Sequence, residues 1–333
     1  MSVSAVSGRS PVHSLYVLKT LLAFAVCVSH SPLEVSFLNL PGATVDVFFL
    51  ISGYFLYNAD LGKVQSSIKK SARKILIAIL ILQPFYSIYM RELGLIYLEK
   101  YPPLEAPIPW LLWLIQGYSP IASGHLWFLQ ALLYAELAFG FFLKLTKGRW
   151  IPALFPLLIG LGLLGAFRPI LFGEEGSIFV FNFVTRALPY LAIGYYIRKN
   201  EEILLSFRWV SIYIILVILA GLEYLFWGWK TEWAFMESWI AILVLPIGLF
   251  LMFLSNKSFG EGTWLATVGM LYTGNIYYFH KVVFLLWEHL NPHYPLLEQI
   301  YNQAGALIVF LLSLPIAFVV IKVQDRFGWN LLR

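Results

Sequence analysis

Apolar residues run through this chain in stretches of membrane length, and polar residues are gathered in the short pieces between them. Ten such stretches predict ten helices, at about 15–29, 43–57, 75–95, 126–143, 151–172, 179–197, 210–227, 234–254, 264–287 and 303–321. A run of about 20 apolar residues suits a crossing of the bilayer core, where a helix satisfies its own backbone groups. The first two runs are short for a straight crossing and are expected to extend into their flanks. Residues 109–118, "PWLLWLIQGY", are too few to cross and read as an interfacial or re-entrant piece. No internal repeat or low-complexity linker is visible, and no polar stretch is large enough for a second domain. The expectation is an all-α polytopic membrane protein, a single domain over 1–333, with tails at 1–14 and 322–333.

Composition strengthens that picture. Of 333 residues, 60% are hydrophobic and 12% charged, where soluble domains carry about 25% charged residues. The net charge of +5 at first suggests a nucleic-acid partner, but its distribution follows the membrane instead. One side of the alternating connections collects Arg9, Lys63, Lys69, Lys70, Arg73, Lys74, Lys144, Lys147, Arg149, Arg198, Lys199, Arg208, Lys257, Lys322, Arg326 and Arg333. The other side holds Lys100, Arg168 and Lys230, with Arg91 at a helix end. The basic side is expected in the cytoplasm, and an even number of spans puts both termini there. Aromatics make up 17% of the chain, as suits helices anchored at headgroup level. The single cysteine, Cys27, excludes an internal disulfide and a Cys-based metal cluster. The first apolar run shows no small-residue cleavage site, so no cleaved signal peptide is expected.

Ionisable groups inside spans are costly unless paired or hydrated, so each is a functional candidate. Lys19 and His30 stand at the two ends of the first run, eleven residues apart. That spacing overshoots three turns by about 20°, so both share one face, about 16 Å apart along it. Lys19 either snorkels to the cytoplasmic headgroups or lines a polar passage. The expected topology brings His30, Asp46, His125, Arg186, His280 and Lys281 to the outer halves of five helices, with Glu136 nearer the middle of the fourth. Several polar groups at one depth predict a shared hydrated cavity, and Asp46 and Arg186 each predict a counter-ion. The histidines lack metal-ligand spacing, and neither a nucleophile elbow nor a phosphate loop is present. Histidine beside a carboxylate points to general-base chemistry on a hydroxyl, the carboxylate fixing the tautomer.

Six segments in order resemble membrane acyltransferase family 3, the O-acyltransferases that decorate bacterial surface glycans. Lys19-x10-His30 resembles the Arg-x10-His signature of its first helix, with Lys19 where the family carries arginine. "VDVFFLISGYFLY" (45–57) resembles its second-helix motif and "RKIL" (73–76) its basic third-helix start. "GHLWFLQALLYAE" (124–136), "RALPYLAIGYYI" (186–197) and "YTGNIYYFHKVV" (272–283) resemble its later helices. The resemblance covers nearly the whole chain. Lysine in place of arginine keeps the charge but loses the bidentate fork.

The resemblance implies transfer of an acyl group, acetyl above all, from cytoplasmic acyl-CoA to a sugar hydroxyl of a cell-surface polysaccharide or its precursor. It implies a bacterial cytoplasmic (inner) membrane and a donor used as substrate rather than a tightly bound cofactor; no metal is expected. The expected partners are acyl-CoA, a glycan acceptor and membrane lipid, without nucleic acid. His30 is the expected base, oriented by Asp46, with Arg186 or His280 stabilising the oxyanion. Lys19, Ser52, Arg73, Lys74, His125, Trp127 and Glu136 are expected to bind donor or substrate. Lys19 would hold the donor or the cavity's polarity, with the pantetheine arm spanning the distance to His30. Trp127 would stack on a sugar or the thioester arm, Glu136 would pair with a buried base, and Ser52-Gly53 would allow close helix approach or loosen the helix beside the cavity. The basic segment 69–74, "KKSARK", either meets the polyanionic donor or only sets orientation. Two other classes fit the same charges: a transporter exporting a glycan precursor or small metabolite, and a lipid-modifying enzyme. A transporter of this kind often shows two similar halves, and none are visible here.

Overall fold

The computed structural model describes residues 11–30, 41–93, 124–160, 183–231, 240, 243–290 and 294–329. Among these, all regular structure is helical. The helices are α1 (His13–His30), α2 (Pro41–Leu56), α3 (Leu61–Glu92), α4 (Trp127–Thr146), α5 (Leu188–Lys199), α6 (Glu201–Leu204), α7 (Trp209–Thr231), α8 (Leu245–Leu254), α9 (Trp264–Leu271), α10 (Thr273–Leu290) and α11 (Pro295–Phe327). A 3₁₀ turn, Gly124–Leu126, leads into α4, and a π turn, Phe183–Ala187, leads into α5.

Four helical stretches are long and apolar enough to cross a membrane: His13–His30, Leu61–Glu92, Gly124–Thr146 and Pro295–Arg326. Four more apolar stretches are shorter, at Thr44–Leu56, Ile151–Gly160, Trp209–Glu223 and Leu245–Leu254. The interfacial segment expected at 109–118, Lys100, Arg168, the last two residues of the third expected span, and parts of the fifth, sixth and eighth lie outside the described residues.

Two expected spans take a different form. The third begins fourteen residues earlier than its apolar run, at Leu61, because nothing in 61–74 breaks a helix and Asp60 caps its start. The Asp60 carboxylate accepts from the backbone N–H of Gly62 at 2.8 Å and of Lys63 at 3.4 Å, closing two otherwise orphaned donors. Segment 69–74 is therefore the polar first part of a 32-residue helix rather than a loop. The ninth expected span is two helices, α9 and α10, meeting at Tyr272. The Thr273 hydroxyl donates to the Gly269 carbonyl at 2.6 Å, meeting part of the acceptor demand that such a break creates.

Packing centres on the crossing of α2 with α5. A Cβ built on Gly53 would stand 1.9 Å from the Leu191 carbonyl oxygen, and one on Gly194 2.0 Å from that of Leu50. The two backbones thus touch, as small residues permit in membrane helix pairs. Leu50, Tyr54, Phe139, Tyr190 and Leu191 are fully buried around this crossing. Helix α9 lies equally close to α1 at Gly269 and Tyr16, where the Thr20 hydroxyl donates to the Leu265 carbonyl at 2.8 Å. Outward faces are apolar: Leu80 and Ile88 on α3, Phe141 on α4, Ile214, Ile218 and Leu225 on α7. Apolar surface on this scale suits hydrocarbon chains rather than water.

Candidate functional site

Three imidazoles from separate parts of the chain meet at one end of the bundle. His30 is the last residue of α1, His125 lies in the 3₁₀ turn before α4, and His280 lies in the first half of α10. The rings of His30 and His280 stack with centroids 5.4 Å apart, and His125 stands edge-on to His280 at 5.1 Å. His125 and His280 are buried, whereas His30 keeps partial exposure. His30 is thus the most accessible of the three.

Tyrosines hold the cluster. The Tyr86 hydroxyl on α3 donates to the Tyr278 carbonyl at 2.5 Å, and its ring stands edge-on to His125 at 4.9 Å. The Tyr89 hydroxyl donates to the Val282 carbonyl at 2.9 Å, and the Tyr277 hydroxyl donates to the His125 carbonyl. Tyr86 and Tyr89 escaped the sequence reading. Nothing in an apolar run distinguishes a tyrosine that ties helices together from one that anchors at an interface.

The His280 tautomer follows from its neighbour. Its Nδ1 lies 2.8 Å from the Tyr277 carbonyl oxygen, which can only accept, so Nδ1 carries the proton. Its Nε2 is buried without a hydrogen-bond partner among the described residues. Neutral His280 therefore offers a lone pair at Nε2 rather than a donor. The expectation that it donates to an oxyanion does not fit this tautomer.

Asp46 and Arg186 meet, but not as expected. Arg186 Nε donates to Asp46 Oδ1 at 2.6 Å and an Nη to Oδ2 at 3.1 Å, a bidentate pair with both residues buried. The geometry thus gives Asp46 to Arg186 rather than to His30, whose ring neighbour is His280. The π turn carries Arg186, and its guanidinium also lies over the Trp127 ring, 5.7 Å from the centroid. Trp127 is buried there against Phe49, so it is not an open platform for a sugar.

The remaining expected residues lie apart from the imidazoles. The Ser71 hydroxyl donates to Glu136 at 2.9 Å, three turns along α4 from His125, and no buried base is seen against that carboxylate among the described residues. The Ser52 hydroxyl donates to the Phe48 carbonyl of its own helix at 2.9 Å. Arg73 is exposed and Lys74 half-buried on α3. Lys19 is half-buried on α1. An apolar cavity of about 270 Å³ runs beside α1, lined by Leu18, Leu22, Ala25, Val28, Leu249 and Phe253 among others. Those α1 positions spread over about 60° to 180° from Lys19 and centre roughly 130° round the helix from Lys19 and His30. This cavity is therefore not a passage joining the two.

The opposite end carries a polar network that sequence reading missed. Glu201 pairs with both Arg198 and Lys257. The Tyr54 hydroxyl donates to Glu201 at 2.8 Å and accepts from Arg198 at 2.7 Å. Burial alone would raise the Glu201 carboxyl, but hydrogen bonds from Lys257, Tyr54 and Arg198 hold it below the usual glutamate range. Beside it lies a polar basin of about 600 Å³, lined by Tyr57, Arg198, Lys199, Asn200, Glu202 and Lys257 among others.

A family model described as an acyltransferase domain, that of acyltransferase family 3, matches residues 12–322. The chain belongs to acyltransferase family 3. The match spans α1 through nearly all of α11, so the histidine cluster, the Asp46–Arg186 pair and the Glu201 network all lie within the family domain. No curated protein and no solved structure matches. Membership makes the chain an acyltransferase, and its apolar helices agree with the family's general association with membranes.

Proposed function

We propose that this acyltransferase is an integral membrane O-acyltransferase of the bacterial cytoplasmic membrane. It moves an acyl group, acetyl in the first instance, from acyl-CoA to a hydroxyl of a cell-surface polysaccharide sugar or its precursor. The observation that carries this reading is the meeting of His30 with His125 and His280, the partly exposed imidazole foremost. In this scheme His30 removes the proton from the acceptor hydroxyl as it attacks the thioester. The stacked His280 ring and buried His125 set its environment. The Asp46–Arg186 pair acts one step removed, fixing α2 against α5 beside the cluster.

The donor enters from the end that carries Arg198, Lys199 and Lys257, which we place in the cytoplasm. That end concentrates basic side chains around a polar basin, and the imidazoles lie near the other face. Cys27 is buried, so a new surface thiol is read against little background. Ser206→Cys, in an exposed turn, labels with an impermeant maleimide only after the membrane is opened; labelling of intact cells inverts this orientation.

Proteoliposomes given radiolabelled acetyl-CoA and an extracted surface glycan test the activity. The wild-type protein transfers label to glycan, and His30→Ala loses at least 100-fold of that rate while melting at an unchanged temperature, in line with removal of a general base. Retained transfer by His30→Ala removes His30 as the base. Mass spectrometry of the glycan identifies the acyl group and the hydroxyl.

A further inference from the structure

An acyl transfer passes through a tetrahedral oxyanion, which needs a donor or cation at the point where charge develops. Two groups suggested by the sequence are committed elsewhere. Arg186 spends Nε and an Nη on Asp46 and lies over Trp127. His280 turns its N–H to the Tyr277 carbonyl. The next residue along α10 is Lys281. Its ammonium rests on the Phe284 ring, 3.8 Å from the centroid. No ion pair of Lys281 with a carboxylate is found among the described residues, and Glu288 lies two turns on along the same helix. Lys281 directly follows His280, whose ring touches those of both His30 and His125. A cation on an aromatic face is held more loosely than one in a buried salt bridge and swings to a stronger anion with little to break.

We propose that Lys281 supplies the cation for the oxyanion of the transfer reaction; this rests on the O-acyltransferase reading. The acceptor oxygen forms a bond to the thioester carbon as its proton passes to His30. The carbonyl π pair moves onto oxygen, where the Lys281 ammonium neutralises it. On collapse the C=O bond reforms and the C–S bond breaks. The CoA sulfur leaves with the bonding pair and takes the proton back from the imidazolium. Lys281 stays protonated throughout and acts by charge alone.

The titratable groups around Lys281 are His30 on α1, Tyr86 and Tyr89 on α3, and His125 before α4. Tyr277, Tyr278, His280 and Glu288 share its helix, and Tyr301 on α11 packs against the same helix. Of these the imidazoles are the groups whose ordinary pKa lies closest to neutrality. A nearby cation disfavours a protonated imidazole, so its removal moves the acid limb of the rate profile to higher pH.

Wild type, Lys281→Met and Lys281→Arg are compared in proteoliposomes by kcat, KM and pH profile with acetyl-CoA. Lys281→Met is expected to lower kcat by about 10² to 10³, change KM less than threefold, and shift the acid limb upward. Lys281→Arg keeps the limb in place and recovers part of kcat. If Lys281→Met folds poorly, Lys281→Cys is aminoethylated to restore an ammonium, and kcat is expected to rise on modification. A kcat within threefold of wild type in Lys281→Met, a loss confined to KM, an unmoved acid limb, or no rescue on aminoethylation overturns the proposal. Wild-type protein that transfers no acyl group overturns the underlying transferase reading as well, whereas active wild type with an equally active Lys281→Met overturns this inference alone.

Discussion

Asp46 and Arg186 illustrate what one buried pair demands of its surroundings. Each is inaccessible to solvent, and each is neutralised by the other through two hydrogen bonds. Removing one partner strands a charge, which costs about 3–5 kcal/mol where burial is complete. Asp46→Ala and Arg186→Met are therefore each expected to lower the melting temperature in detergent sharply. The double variant Asp46→Leu/Arg186→Met is expected to recover much of the loss, since two apolar side chains replace a balanced pair. Additive losses in the double variant would show that the two residues act separately. Both residues stand out in the sequence as charges within apolar runs, and their need for counter-ions was legible. That they need each other was not, because 140 residues separate them and helix spacing says nothing about which distant face each one meets. Asp46 was consequently assigned to the nearer-looking imidazole. The three histidines were legible for a simpler reason: His30 and His125 lie at the ends of their runs and His280 in the later half of its own, and alternation of spans carries all three to the same side.

At the scale of helices, the crossing of α2 and α5 depends on two positions where a side chain has no room. Gly53→Ala or Gly194→Ala places a methyl group within about 2 Å of a carbonyl oxygen, so the helices separate. Each variant is expected to lower the melting temperature and to reduce transfer even though neither residue touches the imidazoles. Gly221→Ala on α7 is the control: nothing lies within 4 Å of its added carbon, and alanine is the better helix former by up to about 1 kcal/mol. A Gly194→Ala protein as stable as Gly221→Ala would contradict the contact. Ser52-Gly53 was read from the sequence as a site of close approach, and that reading agrees with the geometry at Gly53. The break between α9 and α10 was hidden, because an apolar run remains apolar across a break. The early start of α3 was hidden for the opposite reason, since its first turns are polar and resemble a loop.

At the scale of the whole molecule, helical membrane character followed from composition alone, while the linkage between helix ends did not. The Glu201 network joins the end of α2 through Tyr54, the end of α5 through Arg198, and the α8–α9 turn through Lys257. Its carboxyl is held below the ordinary glutamate value of about 4.3, so its stabilisation is complete above that pH and is lost as the pH falls through the lower folded value. Glu201→Gln is expected to melt below the wild type at neutral pH, and the gap is expected to close in acid below the usual glutamate range. A gap independent of pH would assign the effect to packing. The α2–α5 crossing also has a mechanical consequence. Asp46 lies seven residues from Gly53, and Arg186 eight from Gly194, so the ion pair sits about 10 Å along each rod from a fulcrum. A change of about 10° in the angle at the fulcrum shifts the two side chains past one another by nearly 2 Å, enough to part them. Because Tyr54 adjoins Gly53 and Arg198 lies one turn beyond Gly194, the clasp on Glu201 holds the fulcrum itself, and loosening it frees the angle that keeps the ion pair together.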